Sequence, residues 1–521
     1  MKRVVVTTGK SYRRVPGLIS GILFISLIAV VASSSLLFGN GSVALPLSTA
    51  SSSSVASLVT PIASKTASSS PVVTPVATVA PVVTPSPSLN PPVTGPSVTL
   101  DQIHSSHVVT AIVDYNGDTV IATDLITFTN DGESTLANVH LSVIPHATGE
   151  WTLGEAPIGS IWENAASLLV PVNLNPGQSI TDYFSFIVRP SANLSNDITQ
   201  RLARANGIMQ LAGWLPLVSN GHGVVNGDSQ VTPVADNITV EYLLIGSMFL
   251  AAPGELVASS GPTACDPAKK GNDYCAWSRM DQTYVLTNAR DLAFSVSPRY
   301  KVASGKAGNT PVRVFYTTGA GSVALKWAIK ALNQYSVWYG AYPWPTYTIA
   351  QAPDSSAGDE WPAMATIGGN FFDAYVVTHE VAHQWWYGIV GDNQITNPWL
   401  DEAFAEFSSR SLLKLGFGYN STLSVSLPAT HWKTFGCNSR GCSHNSYGQT
   451  VYYKGAAFLH SLRSVMGETA FWSAMRAIQK QYRFKLADQA GVLDIFRSGA
   501  TSNKMLKSIN RLMRAYGFPN K

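Results

Sequence analysis

The sequence predicts a multidomain chain of the β plus α/β class, and three observations carry that expectation. Its 521 residues exceed one ordinary domain and leave room for a sizeable core. Between Val98 and Gly319 short alternating runs are punctuated by turn residues, the period-two signature of strands. After Gly321 the apolar spacing changes to that of helices and keeps it through most of the remainder.

The chain opens on a basic segment: Lys2, Arg3, Lys10, Arg13 and Arg14 lie within the first fourteen residues with no acid among them. Setting those five charges aside turns the formal +4 into about −1, so the basic balance is a terminal feature. No basic stripe remains in the bulk composition, which excludes nucleic acid as the expected partner. Gly17 to Phe38 follows as an uncharged stretch rich in Ile, Leu, Val and Phe, long enough to cross a bilayer. Two readings stand. As a signal anchor it leaves the N-terminus in the cytoplasm; as a signal peptide it ends near Val30-Val31-Ala32-Ser33. Both export the remainder, either membrane-anchored with an extracytoplasmic folded part or secreted.

From Gly39 to Ser97 the chain is dominated by Ser, Thr, Pro, Ala and Val, with Lys65 as its one charge. Such a composition cannot bury enough apolar surface to offset the entropy of ordering it, and its prolines favour extended polyproline II. It reads as a stalk, able to hold the following part on the order of 100 Å from a membrane.

Within the β region, Thr119 to Thr129 alternates and then meets Asn130-Asp131-Gly132, while Ile238 to Leu244 and Thr310 to Tyr316 behave alike. An immunoglobulin-like sandwich is the alternative for any such run of short strands. The run Ala324 to Tyr335 is apolar at helical spacing and stops before Tyr342-Pro343-Trp344-Pro345. Four cysteines form two close pairs, and in an exported chain they predict local disulfides, Cys265 with Cys275 and Cys437 with Cys442, out of three possible connectivities.

The chemistry concentrates between Thr378 and Phe407. On a helix, His379 and His383 lie one turn apart on the same face, where both imidazoles reach one metal ion. Glu380 between them is placed to take a proton from water activated by that metal, the arrangement that H-E-x-x-H carries in zinc peptidases. A tetrahedral site that does chemistry needs a third protein ligand and an open position. Glu402, in Trp399-Leu-Asp-Glu-Ala-Phe-Ala-Glu-Phe407, opens a second helix that could bring it.

H-E-x-x-H followed after eighteen residues by Glu resembles the zinc signature of the M1 peptidases, the aminopeptidase N-like gluzincins. The resemblance extends more loosely to Ile126-Thr-Phe-Thr-Asn130, Pro145-His146-Ala147, Gly213-Trp-Leu-Pro216 and Ala289-Arg-Asp-Leu-Ala-Phe294. It implies an N-terminal all-β saddle-like domain over 98–319 and a thermolysin-like, mainly helical catalytic domain over 320–521, preceded by the segments 1–38 and 39–97. One Zn2+ per chain is implied, with His379, His383 and Glu402 as ligands, Glu380 as general base and then acid, and peptides as substrates. Glu360, in Ala357-Gly-Asp-Glu-Trp-Pro362, matches the glutamate that holds the substrate's free amino group, although the residues before it depart from the family pattern and Asp359 beside it is equally acidic. Tyr452, in register with Lys454-Gly455, matches the tyrosine that stabilises the oxyanion, with Tyr453 its rival. Among the other histidines, His431, His444 and His460 lack a ligand-like spacing. The expected function is removal of N-terminal residues from peptides; a zinc endopeptidase or other metallohydrolase on the same scaffold, or a catalytically silent surface scaffold, are the alternatives.

Overall fold

Alternation along Ile103–Asp114 sends Val109, Ala111 and Val113 inward and leaves Val108 and Ile112 on the opposite face, as a pleated strand with one packed side requires. This strand is central in a seven-stranded sheet ordered Glu255–Ser260, Arg279–Ala289, Ala235–Ile245, Ile103–Asp114, Thr119–Asn130, Ser179–Val188, Trp151–Glu155. It pairs antiparallel with Thr119–Asn130 but parallel with Ala235–Ile245, with Val109 opposite Val240. That parallel pair sets the sheet apart from an immunoglobulin sandwich, whose sheets are antiparallel. Two four-stranded sheets complete the β-rich N-terminal part. The computed structural model describes residues 99–194, 201–221, 231–260, 279–353, 357–429 and 446–519. The basic start, Gly17 to Phe38, the 39–97 segment and all four cysteines lie outside the described residues, and so do His431 and His444. Among the described residues no helix is long and apolar enough to cross a membrane.

A five-stranded sheet spans the change of periodicity. Lys301–Ala307 and Thr310–Tyr316 join Tyr347–Gln351, Met364–Ile367 and, at the edge, Asp359–Trp361. Of seven α-helices among the described residues, Gly321–Tyr339 lies between the second and third of these strands in the chain, and Ala374–Ala382, Trp399–Leu413, Gly455–Met466, Glu468–Gln481, Gln489–Ser498 and Asn503–Ala515 come after them. The first helix contains the run Ala324 to Tyr335 and ends before Tyr342, where the prolines take over. The architecture is thus a β-rich N-terminal part followed by a mainly helical C-terminal one.

One core runs through both parts, from Val109 and Val240 through Trp214 and Phe294 to Trp385, Phe404 and Phe458. Polar side chains fix the helices within it. The Tyr335 hydroxyl donates to the Thr378 carbonyl at 3.0 Å, and the Trp385 indole donates to the Gly340 carbonyl at 2.9 Å. Across the two parts, the Trp344 indole donates to the Thr287 carbonyl at 2.8 Å. Arg290, which is buried, donates to the Thr232 carbonyl at 2.7 Å and lays its guanidinium against Gly391, in the short strand Val390–Asp392. No Cβ fits at Gly391 without displacing that guanidinium. A Gly391→Ala variant is therefore expected to lose about 1–3 kcal/mol by overpacking, read as a lower denaturation midpoint with an unchanged slope.

Candidate metal centre and active site

Asp373 starts the helix Ala374–Ala382 by accepting from the backbone N–H groups of Tyr375 and Val376 at 2.8 and 3.0 Å. The helix ends at His383, whose backbone is still right-handed, so the one-turn spacing holds and the Nε2 atoms of His379 and His383 stand 3.1 Å apart. Glu402 lies in the first turn of Trp399–Leu413, which packs against that helix. Its Oε2 is 3.3 Å from His379 Nε2 and 3.5 Å from His383 Nε2. Ligand atoms on a tetrahedral zinc ion stand about 3.3 Å from one another, given bonds of about 2.0–2.1 Å. The three buried atoms therefore fit three corners of one zinc ion, and their donor set of two imidazoles and a carboxylate suits that metal.

The far side of each imidazole is fixed as well. His383 Nδ1 donates to the Trp386 carbonyl at 3.0 Å, which leaves the Nε2 lone pair for a metal. His379 Nδ1 faces Glu406 Oε2 at 3.4 Å. Glu406 is fully buried; the Tyr375 hydroxyl lies 2.6 Å from both of its oxygens, and Arg410 Nε donates to one of them. Sequence reasoning passed over Glu406. The signal was present, since it stands one helical turn after Glu402 and so on the same face.

Electrostatics follow from burial and proximity. Burial alone would raise Glu402, but hydrogen bonds from His379 and His383 outweigh it and hold its carboxyl at about 2. Burial would lower His379, yet Glu402 and Glu406 lift it to about 9. His383 is likewise opposed by burial and raised well above its ordinary value, first by Glu360 and then by Glu402. Glu380 is pushed up to about 8 by burial, with His379 and His383 pulling against that shift.

Glu380 lies beneath the backbone of Gly358; a Cβ there would come within 2.5 Å of Glu380 Oε1. Glu380, His383 and Glu360 form a second cluster whose donor atoms all lie within 4.8 Å of one another. Glu360 belongs to the edge strand Asp359–Trp361, where successive side chains point to opposite faces. Its neighbour Asp359 instead meets Arg201, 3.5 Å from Nη2. Gln384, directly after His383 and fully buried, ties this strand to the histidine helix: its Nε2 donates to the Trp361 carbonyl at 3.0 Å, and its Oε1 accepts from Ala363 N–H at 2.8 Å. That tie was not foreseen from the sequence.

Tyr452 sits on a π-helical turn, Gly448–Lys454, that leads into Gly455–Met466. Its hydroxyl donates to Glu402 Oε1, and its ring stacks near His379 with centroids 5.8 Å apart. Tyr453 instead lies under the Arg410 guanidinium, 4.7 Å from its ring centroid. Gly455 follows because its backbone meets Ala403, leaving no room for a side chain between the two helices. His460 stacks on Phe417 and does not join the cluster. The predicted pairs Cys265 with Cys275 and Cys437 with Cys442 lie outside the described residues.

Two outcomes are expected from this geometry. Glu406→Ala removes the partner of His379 Nδ1 and should weaken zinc binding about 10–100-fold in chelator competition. Because Glu402 and Glu406 raise His379, and Glu360 and Glu402 raise His383, in the metal-free protein, zinc binding at pH 7 should release at least one proton. Calorimetry in buffers of different ionisation enthalpy measures that release, and the apparent affinity should fall as pH is lowered.

Residues 323–516 match the model of the peptidase family M1 domain. Among curated proteins, the chain is 27% identical over 277 residues to aminopeptidase M1-C of Oryza sativa subsp. japonica, covering 46% of this chain and 30% of that one. It is 26% identical over 227 residues to aminopeptidase N of Lactococcus lactis subsp. lactis, covering 37% and 27% respectively. The chain thus spans less than a third of these relatives' lengths. Among solved structures, an M1 zinc metallopeptidase from Deinococcus radiodurans shares the fold with a TM-score of 0.58 at 17% identity, over 82% of this chain and 96% of that one. The family match thus covers the residues that form the His-His-Glu cluster and the helices that carry it.

Proposed function

We propose that this chain is a zinc-dependent aminopeptidase that removes N-terminal residues from peptides. The observation that carries this reading is the second cluster: Glu360, Glu380 and His383 converge within 4.8 Å, so a carboxylate outside the three-ligand set stands beside the reacting centre. His379, His383 and Glu402 would hold the metal, whose chemistry when bound would be to polarise the scissile carbonyl and to make water nucleophilic at neutral pH. Glu380, beside the ligands and enclosed under Gly358, takes the proton from the attacking water at its carboxylate and returns it to the leaving amine. Tyr452, poised at Glu402, turns its hydroxyl to the oxygen that was the scissile carbonyl. Glu360 pairs with the substrate's α-ammonium and sets how far the chain reaches past the scissile bond. Because Arg201 lies against Asp359, Glu360 is the acid of that pair left to face the substrate.

The location proposed with this activity is outside the cytoplasmic membrane, the basic start and Gly17 to Phe38 serving as export signal or anchor and the 39–97 segment as spacer. A relative from Manduca sexta, 22% identical over 296 residues, is named membrane alanyl aminopeptidase.

If Glu360 grips the ammonium through a charge-assisted hydrogen bond of about 1.5–3 kcal/mol, N-acetylation should lower kcat/KM by at least about tenfold. Glu360→Ala should produce a comparable loss on free-amine peptides and almost none on blocked ones, while Glu380→Gln keeps the metal and abolishes turnover. Equal cleavage of free and blocked peptides by the wild type, or internal bonds cut first, would replace this reading with an endopeptidase on the same zinc site.

A further inference from the structure

We infer that Tyr387 is a positioning residue for His383 and acts through its backbone, a strained φ at this residue aiming the Trp386 carbonyl at the imidazole. This deepens the proposed function and rests on His383 being a zinc ligand. Tyr387 has a φ of 132°, in the left-handed half of backbone space that favours glycine. A bulky side chain stays there only where its surroundings over-determine it, and such strain gathers at functional sites.

The surroundings of Tyr387 do so. Beyond the histidine helix the N–H groups of Gly388, Ile389 and Val390 donate to the carbonyls of His383, Gln384 and Trp385 at 2.9, 3.1 and 3.1 Å. On the other side the Trp386 ring is fully buried, its centroid 4.3 Å from that of Phe404. Both flanks of Tyr387 are fixed, and the peptide between Trp386 and Tyr387 must match them. Its two polar groups point opposite ways, as in any trans peptide, and both are used. The Trp386 carbonyl accepts from His383 Nδ1 at 3.0 Å, and the Tyr387 N–H donates to the Val390 carbonyl at 2.9 Å. Val390 opens the short strand whose Gly391 lies against Arg290, which anchors that end of the peptide to the β-rich part.

With the following residues pinned, a change of φ at Tyr387 turns this peptide. Relaxation to the negative φ that a side chain prefers would swing the Trp386 carbonyl off His383 and break both bonds together. The imidazole would lose the acceptor that fixes its orientation and leaves Nε2 for the metal, a kind of partner whose loss weakens metal binding. The Tyr387 ring opposes that relaxation, because it is buried and its packing holds the strained backbone in place. Its hydroxyl has no hydrogen-bond partner among the described residues, so the ring supplies the hold.

Glycine adopts this φ without strain and alanine does not, so the two substitutions separate the backbone role from the side chain. Zinc affinity of the full chain by chelator competition is the readout, beside the denaturation midpoints of the metal-free proteins. Tyr387→Ala removes the ring and keeps the strain, and should weaken zinc binding at least about tenfold. Tyr387→Gly removes ring and strain together, and should keep the affinity within about threefold of wild type. Its midpoint should stand above that of Tyr387→Ala, the reverse of the order that these residues give in ordinary helices and strands. Tyr387→Phe should match wild type. Equal losses of affinity in the alanine and glycine variants, a weakened Tyr387→Phe, or a Tyr387→Ala that binds zinc as wild type does, overturns the inference. If Tyr387→Ala yields no folded protein, Tyr387→Gly decides: affinity within about threefold of wild type supports the backbone role, and a loss of about tenfold or a failure to fold overturns it. Failure of the ligand assignment shows separately, as a His383→Ala protein that keeps wild-type zinc affinity.

Discussion

The helical part answers to one electrostatic demand: two imidazole nitrogens and a carboxylate oxygen are held within 3.5 Å of one another away from water. Two neighbouring imidazoles cannot both be protonated without repulsion, and a buried carboxylate needs a cation. The metal-free chain answers with protons, which is why Glu402 is driven down while His379 and His383 are driven up. A divalent cation answers better, and the surrounding groups are arranged for it. The Trp386 carbonyl and the Glu406 carboxylate hold the outer imidazole nitrogens, so the inner ones keep a fixed direction.

Holding that cluster requires more than the two helices that carry it. The histidine helix is tied to the edge strand by Gln384, to the first long helix by Tyr335, and to the Gly340 turn by Trp385. The β-rich part reaches the same region by two arginines, Arg290 at Gly391 and Arg201 at Asp359. The continuous apolar core explains why such contacts are possible, since the two parts have no solvent layer between them that side chains would have to cross.

The grouping of His379, His383 and Glu402, with Glu380 beside them, was legible because it follows from helix spacing, a local property written in five consecutive positions and one loop length. Strands such as Thr119–Asn130 and Thr310–Tyr316 were legible for the same reason, since alternation is local. The contact of Asp359 with Arg201 was not, because its partner lies more than 150 residues earlier in the chain. Gln384 and the parallel pairing of Ile103–Asp114 with Ala235–Ile245 were equally out of reach, as each depends on distant partners. Glu406 lies between these cases: its helix face could be read, but its partners Tyr375 and Arg410 make sense of it only once the two helices are packed.

The π-helical turn before Gly455 has a consequence for how this site can vary. A π turn holds one residue more than an α turn over the same rise, so Gly448–Lys454 carries a surplus position within a run otherwise fixed by Gly455 against Ala403. A chain shorter by one residue there would close as ordinary α-helix. Each residue of such a helix turns the next by about 100°, so Tyr452 would swing off Glu402 toward another side while the helix behind it stayed in place. Insertions and deletions in this turn therefore act as a rotary adjustment of a single phenol, with Lys454, whose Nζ donates to the Leu423 carbonyl at 2.6 Å, as the fixed end of the dial.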